Sequence, residues 1–171
     1  MTEPANGTAP GGAPADRAPL GPHGDLLRLD LQVCFALHAT SRAFDTLYRR
    51  LLGDLGLTYP QYLAMLVLWE HGSSTVKELG RALRLDSGTL SPLLKRLETA
   101  GLVVRGRSPH DERSVVVGLT SSGEALRERA AEIPRRVLAA TGLERQEAAA
   151  LHGALARVTA ALDDAAQELK P

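Results

Sequence analysis

Apolar side chains recur at helical spacing over most of this chain. The first such stretch runs from Asp25 to Leu52, and Gly53 and Gly56 end it. A helix of about 27 residues would span about 40 Å, which is longer than the core of one small domain requires. We therefore expect part of this helix to contact a second copy of the chain.

Three further helices are predicted between residues 60 and 101. They cover Gln61–Glu70, Thr75–Leu83 and Ser87–Ala100. Pro60 suits the start of the first of these helices, and Gly101 ends the last. Thr75 and Glu78 have the spacing of a capping box. Because the last two helices are short and closely connected, they have the pattern of a helix-turn-helix.

Two β-prone runs follow the helix pair. Leu102–Arg107 and Ser114–Leu119 flank the polar segment 108–113, which predicts a β-hairpin with a charged tip. Beyond the hairpin, Ser121 and Glu124 are predicted to cap a helix, and Pro134 is predicted to bend or break it.

The last predicted helix runs from Leu143 to Leu169 and is rich in alanine. Large apolar residues lie on one side of it: Leu151, Leu155, Val158 and Leu162. Like the first helix, it is a candidate for contact with a second chain.

These elements predict a mainly α-helical fold with a small β-hairpin wing, a winged helix-turn-helix that is dimeric through its N- and C-terminal helices. Residues 1–24 are rich in proline and glycine and are predicted to form a disordered tail. Residues 25–58 are predicted to form the first dimerisation helix with its turn. Residues 59–120 form the winged helix-turn-helix domain, and residues 121–171 form the C-terminal dimerisation helices.

Composition narrows the class of protein. The formal charge of zero argues against a chain that coats nucleic acid over its whole surface, although basic residues outnumber acidic ones between positions 73 and 120. No apolar run reaches the roughly 18 residues of a membrane helix, and the N-terminus lacks the pattern of a secretory signal. We expect a cytoplasmic protein. Its single cysteine, Cys34, cannot form an intramolecular disulfide.

A helix-turn-helix followed by a basic hairpin suits the reading of DNA. The second helix would enter the major groove, and the hairpin would reach the backbone or the minor groove. Hydroxyl and cationic side chains in these elements can contact phosphates or bases. The candidates are Ser87, Thr89, Ser91, Lys95, Arg96, Arg107 and Arg113. The alternative is that the serines and the threonine only cap the helix.

The order of elements resembles the MarR family of transcriptional regulators over about residues 26–168. Four stretches resemble, more narrowly, the one-cysteine organic hydroperoxide-resistance repressors of that family. They are Val33-Cys34-Phe35, Leu57–Tyr62, Leu85–Leu90 and Asp111–Ser114. The resemblance implies a homodimer that binds an inverted-repeat operator in double-stranded DNA. It also implies that Asp111 and Arg113 form an ion pair that braces the wing, with Arg113 facing the minor groove.

Cys34 is the candidate redox sensor, so the helix predicted in residues 25–58 is the sensor helix as well as a dimerisation helix. The resemblance implies that Tyr48 and Tyr59 supply phenols that hydrogen-bond the reactive cysteine. Tyr48 follows Cys34 by 14 residues, a rise of about 21 Å along one helix, so the phenol would have to come from the partner subunit. An organic hydroperoxide would oxidise the thiolate to a sulfenic acid. That acid could end as a mixed disulfide with a small thiol, as a cyclic sulfenamide or as a sulfinic acid.

His38 lies one helical turn after Cys34, at a position where the family pattern has a tyrosine. A charged imidazole would stabilise the thiolate, whereas a neutral packed ring would only replace a hydroxyl contact. We expect His38 to have a modest tuning role.

Three other functions compete with this interpretation. A repressor of the same fold could be released by a small aromatic or lipophilic ligand without redox chemistry. A thiol peroxidase built on Cys34 and His38 would need a resolving partner, so an enzyme is not expected. A metal site on the same two residues would have too few ligands, and no cofactor is expected.

Overall fold

The computed structural model describes residues 27–107 and 114–169. The predicted tail at 1–24 and the hairpin tip lie outside these residues. The described helices are α1 (Val33–Leu51), α2 (Tyr59–His71), α3 (Val76–Leu83), α4 (Ser87–Thr99), α5 (Ser121–Ala130), α6 (Ile133–Thr141) and α7 (Arg145–Glu168). The strands are β1 (Ser73–Thr75), β2 (Val103–Arg107) and β3 (Val115–Leu119). The predicted mainly α-helical class with a small sheet is confirmed. The chain divides into two units at residue 44, within α1.

The first helix is shorter than predicted. It begins at Val33, and a 3-10 turn over Leu29–Leu31 precedes it, where a continuous helix from Asp25 was expected. Apolar and polar residues alternate from 27 to 32, so the sequence has no helical stripe there. Gln32 has an extended backbone, with φ −78° and ψ 117°. With 19 residues, α1 rises only about 28 Å, and its length alone no longer argues for a second chain.

The core of residues 44–171 is formed mainly by α2, α4 and the sheet. Its fully buried large side chains include Leu52, Tyr62, Met65, Leu68, Leu79, Leu90, Leu94, Leu97 and Val117. Each such side chain removed from water contributes about 1.5–3 kcal/mol to stability. The buried leucines fix one face of α4 against the core, so the opposite face is exposed to solvent.

The sheet has three strands in the order β1-β3-β2, whereas the sequence predicted only the β2–β3 hairpin. The hairpin is confirmed, with Arg105 opposite Val117 in an antiparallel register. β1 pairs with the other edge of β3, where Ser74 also lies opposite Val117. The sequence analysis missed β1 because three polar residues carry no apolar alternation. This strand ties the connection between α2 and α3 to the wing.

The cap of α5 lies one residue earlier than predicted. Thr120, not Ser121, is the N-cap, and its Oγ1 accepts a hydrogen bond from the Gly123 backbone N at 3.0 Å. The same hydroxyl donates to the carbonyl of Gly101 at 2.6 Å. A Cβ at position 123 would lie 2.0 Å from the carbonyl oxygen of Leu102. Glycine is therefore required for α5 to pack this closely.

The predicted interruption at Pro134 is confirmed. α5 ends at Ala130, and α6 begins at Ile133 with Pro134 in its first turn. Backbone N–H groups in the first turn of a helix have no acceptor within the helix, so the N–H that proline lacks costs no hydrogen bond there. α7 runs over Arg145–Glu168, close to the predicted range, and none of its residues is buried.

Candidate sensor site and nucleic-acid interface

A tight turn over residues 84–86 joins α3 to α4. Arg84 has left-handed backbone, with φ 54°, and Leu85 N donates to the carbonyl of Gly80 at 2.9 Å. Asp86 caps α4, since its carboxylate accepts from Thr89 N at 2.9 Å and from Thr89 Oγ1 at 3.0 Å. These hydrogen bonds lower the pKa of Asp86. The turn therefore fixes the direction in which the first residues of α4 point.

The capping box predicted for α3 is confirmed. Glu78 N donates to Thr75 Oγ1 at 3.2 Å, and the Thr75 backbone N donates to Glu78 Oε2 at 2.8 Å. These contacts with Thr75 lower the pKa of Glu78. Both helices of the helix-turn-helix are thus capped by their own side chains.

A groove of about 620 Å³ lies between α3, the first half of α4 and the base of the wing. Ser87 and Ser91, one turn apart on α4, line it opposite Lys77 and Arg81, one turn apart on α3. Hydroxyl groups facing cations can bind a phosphate backbone and the edges of bases. In the sequence analysis, Lys77 and Arg81 contributed only to the excess of basic residues between positions 73 and 120. Their i,i+4 spacing on the first helix of the pair is the signal that could have identified them.

The other predicted DNA-binding residues lie outside this groove. Lys95 and Arg96 are exposed on the second half of α4, and Arg107 is exposed at the end of β2. Thr89 lies at the start of α4, but its hydroxyl proton is donated to the cap residue. The last two candidates, Asp111 and Arg113, belong to the hairpin tip outside the described residues, and so does their predicted ion pair.

An ion pair joins the wing to α4. Arg105 on β2 donates from its Nε to Glu98 Oε2 at 2.9 Å, and a second guanidinium nitrogen contacts the same oxygen. The hydrogen bond from Arg105 lowers the pKa of Glu98. Arg105 also lines the groove, but this pairing neutralises its charge there. The contact holds the base of the wing against the C-terminal part of α4.

The three tyrosines of the chain form one aromatic cluster. Tyr48 stacks on Tyr59 with ring centroids 4.3 Å apart, and the Tyr62 ring lies 6.0 Å from Tyr48. Burial raises the pKa of Tyr48 to about 12, and the neighbouring tyrosines add to the effect. Burial also raises the pKa of Tyr59 and of Tyr62. All three phenols are therefore protonated hydrogen-bond donors at neutral pH. The structure brings the two predicted phenols together and adds Tyr62, which the sequence analysis missed.

Cys34 and His38 lie one turn apart near the start of α1, and both are exposed. Their apolar neighbours are exposed as well: Val33 at 69%, Phe35 at 40% and Leu37 at 38%. A helix that exposes several large apolar side chains is typical of a surface that another molecule covers. The cysteine is not a packed core residue of its own chain.

α7 has a similar exposed face. Its large apolar residues are between 37% and 63% exposed: Leu151, Leu155, Val158 and Leu162. In the described ranges, no group of three His, Cys, Asp or Glu side chains is placed to hold a metal ion. The helices of those ranges are too short or too polar to cross a lipid bilayer.

A capped helix-turn-helix and a β-hairpin wing beside a groove with cations define a winged helix DNA-binding protein. Comparison with known proteins agrees. Residues 46–130 match the family model of the transcriptional regulators SarA/Rot. Over 122 residues the chain is 52% identical to the organic hydroperoxide resistance transcriptional regulator of Bacillus subtilis, an alignment that covers 71% of this chain and 81% of that protein.

Two solved structures with bound DNA are similar to this chain. Reduced AbfR bound to DNA has 36% identity and a TM-score of 0.67, over 81% of this chain and 96% of that one. A cysteine-to-serine mutant of E. coli MarR with operator DNA has 28% identity and a TM-score of 0.69, over 79% of this chain and 99% of that one. The chain belongs to the MarR family of transcriptional regulators, in its organic hydroperoxide-resistance branch, and the predicted resemblance is confirmed.

Proposed function

We propose that this protein is a dimeric cytoplasmic repressor that holds an inverted-repeat operator while Cys34 is reduced and releases it when an organic hydroperoxide oxidises Cys34. The observation that supports this proposal best is the exposure of the Cys34 thiol among apolar side chains. A buried thiol would be inert toward a peroxide, whereas an exposed one can meet both the oxidant and a partner subunit. A regulator of this kind is not an enzyme, because each oxidation changes the protein itself.

Two copies would associate through α1 and α7. Both helices have exposed apolar side chains, which a second copy would remove from water. Two-fold symmetry would then place the two α4 helices about 34 Å apart, one turn of B-DNA. The operator would be an inverted repeat, with Ser87, Ser91 and Arg96 of each copy facing one half-site.

The phenols at Cys34 would come from the partner subunit. Cys34 and Tyr48 differ by 14 positions, a helical rise of about 21 Å, which is too far for a hydrogen bond within one chain. If the α1 helices cross in antiparallel orientation, the stacked Tyr48 and Tyr59 of one copy approach Cys34 of the other. Because both phenols stay protonated at neutral pH, each can donate a hydrogen bond that favours the thiolate. His38 would tune the same thiolate.

The proposed reaction is a nucleophilic displacement at the peroxide. The Cys34 thiolate attacks the terminal oxygen of ROOH, the S–O bond forms as the O–O bond breaks, and the alkoxide leaves and takes up a proton to give ROH. Sulfur is oxidised to the sulfenic acid and the peroxide is reduced to the alcohol. A small thiol can then form a mixed disulfide and release water. Either product is bulkier than the thiol, so it would separate Cys34 from the phenols and turn the DNA-binding lobes.

A mobility-shift titration tests the proposal. Wild type and Cys34→Ser are titrated with an inverted-repeat duplex before and after treatment with cumene hydroperoxide, and mass spectrometry follows the oxidation state of Cys34. Treated wild type should lose at least tenfold in affinity, about 1.4 kcal/mol, while Cys34→Ser stays bound. Equal affinity of reduced and oxidised wild type would contradict the redox switch.

The ligand-released alternative makes a different prediction. If a small aromatic or lipophilic molecule is the signal, Cys34→Ser should be released from DNA as readily as wild type when that molecule is added. Sedimentation of the free protein tests the dimer separately, since a stable pair has twice the 18.2 kDa mass of the chain.

A further inference from the structure

Arg84 and Asp163 join the helix-turn-helix to α7. Arg84 Nη1 donates to Asp163 Oδ1 at 3.1 Å, and Nη2 lies 2.8 Å from Oδ2, so the two planar groups meet fork to fork. The two residues are 79 positions apart in sequence. The pKa of Asp163 is lowered by this hydrogen bond. The pair is therefore a directional contact between two distant elements.

The backbone at Arg84 makes this contact unusual. Among the described residues, Arg84 alone has a positive φ without being glycine. The other positive-φ positions are Gly56, Gly72, Gly101 and Gly142. Left-handed backbone is unfavourable for a residue with a Cβ. The chain thus places an arginine where glycine would be less strained, which indicates that the side chain itself is needed.

The position of the pair decides what it can do. Arg84 lies two residues before Asp86, the cap of α4, in a turn held by the Leu85–Gly80 hydrogen bond. A displacement of the Arg84 side chain would therefore move the N-terminal end of α4, which lines the groove. Asp163 lies on α7, which has no buried residue and whose apolar face is free for a second copy.

We propose that the Arg84–Asp163 ion pair is a positioning contact that fixes α4 relative to α7 and so sets the half-site spacing that the dimer reads. This inference rests on the proposed function, in which α7 belongs to the dimer interface and α4 reads DNA. It assigns specificity to two residues that need not contact DNA. The Arg84 side chain is 64% exposed and that of Asp163 is 48% exposed, so we expect a moderate effect of about fivefold, at the upper end for a surface pair.

The experiment uses a duplex that wild-type full-length protein selects from a random pool, and derivatives whose half-sites are one or two base pairs closer or farther apart. One base pair turns a half-site by about 35° and moves it by about 3.4 Å. Dissociation constants are measured for Arg84→Gly, Asp163→Asn and the double exchange of Arg84→Asp with Asp163→Arg. Asp164→Asn is the matched control, since it removes the same charge from the neighbouring residue.

Arg84→Gly suits the left-handed backbone, so its thermal unfolding midpoint should not fall. Both single variants should lose about fivefold of the preference for the selected spacing, the double exchange should recover it, and Asp164→Asn should match wild type. If Arg84→Gly instead binds every duplex more weakly and Asp163→Asn binds every duplex more tightly, by the same factor at each spacing, the pair has only a charge effect and the inference is overturned. An unchanged preference in both single variants would also overturn it. If wild type selects no inverted repeat, the proposed function fails, and this inference fails with it.

Discussion

Tyr48 on α1 stacks on Tyr59 at the start of α2, with their ring centroids 4.3 Å apart. Tyr62, which is only 2% exposed, lies next to the stack, with its ring centroid 6.0 Å from that of Tyr48. Tyr48 and Tyr59 are partly exposed, whereas Tyr62 is buried, and the three rings form one aromatic cluster. This arrangement gives the chain two adjacent hydrogen-bond donors at one place on its surface.

Alkaline pH should destabilise the fold in a defined window. Folded Tyr48 keeps its proton up to a pKa of about 12, whereas an unfolded tyrosine ionises near pH 10. Between these values the unfolded state binds fewer protons, so the free energy of unfolding falls as pH rises from about 10 to 12. Below pH 10 the phenol contributes no pH dependence. Denaturant unfolding across this window should show a shallower decline for Tyr48→Phe, and an identical decline would contradict the prediction.

Removing either stacked phenol should slow the oxidation of Cys34. Tyr48→Phe and Tyr59→Phe each delete one hydrogen-bond donor that would stabilise the thiolate, and we expect a loss of about tenfold in rate. Single-turnover loss of the thiol with cumene hydroperoxide is the measurement. Tyr62→Phe is the matched control because its ring is buried in the core. If Tyr62→Phe slows the reaction as much as the other two variants, the effect is structural.

His38→Tyr should change the rate of Cys34 oxidation a few-fold and alter its dependence on pH. The imidazole lies one turn from the thiol and can carry a positive charge that a phenol cannot. Rates measured from mildly acidic to mildly alkaline pH for the variant and wild type provide the test. Superimposable pH profiles would show that His38 only fills space.

Lys77→Ala should weaken DNA binding uniformly across sequences. The side chain lines the groove and is expected to contact a phosphate, so its loss should reduce the slope of log affinity against log salt by about 1. Arg135→Ala is the control, because Arg135 lies on α6 and pairs with Glu132. Salt titrations of both variants are compared with wild type. A loss of sequence preference in Lys77→Ala would instead assign this lysine to base reading.

Gly123→Ala should destabilise the fold by about 2–3 kcal/mol through overpacking. The new methyl group would lie 2.0 Å from the Leu102 carbonyl oxygen. It would also disturb the hydrogen bond from Trp69 Nε1 to the Gly123 carbonyl, which is 2.9 Å long. Gly53→Ala is the control, since its Cβ meets nothing within 4 Å. Thermal unfolding that is equally affected in both variants would contradict this account of α5 packing.

Local signals in the sequence determined much of this protein. The capping box of Thr75 and Glu78, the interruption at Pro134 and the two β-prone runs each involve neighbours within a few residues, so the chemistry that forms them can be read from the sequence. The position of Cys34 on a helix with apolar neighbours could also be read from the sequence. The family resemblance singled out Tyr48 and Tyr59 as phenols for Cys34, and the structure places their two rings against each other.

Only the tertiary structure decided the remaining features, because they depend on residues that are far apart in sequence. The strand β1 exists because β3 offers an edge to it, and the short polar segment Ser73–Thr75 would not form a strand alone. Tyr59 and Tyr62 are neighbours on α2, but only the fold brings Tyr48 of α1 into contact with them. The partners of Arg105 and Arg84 are a carboxylate on α4 and one on α7. Such contacts follow from how elements pack in space, which local periodicity does not encode.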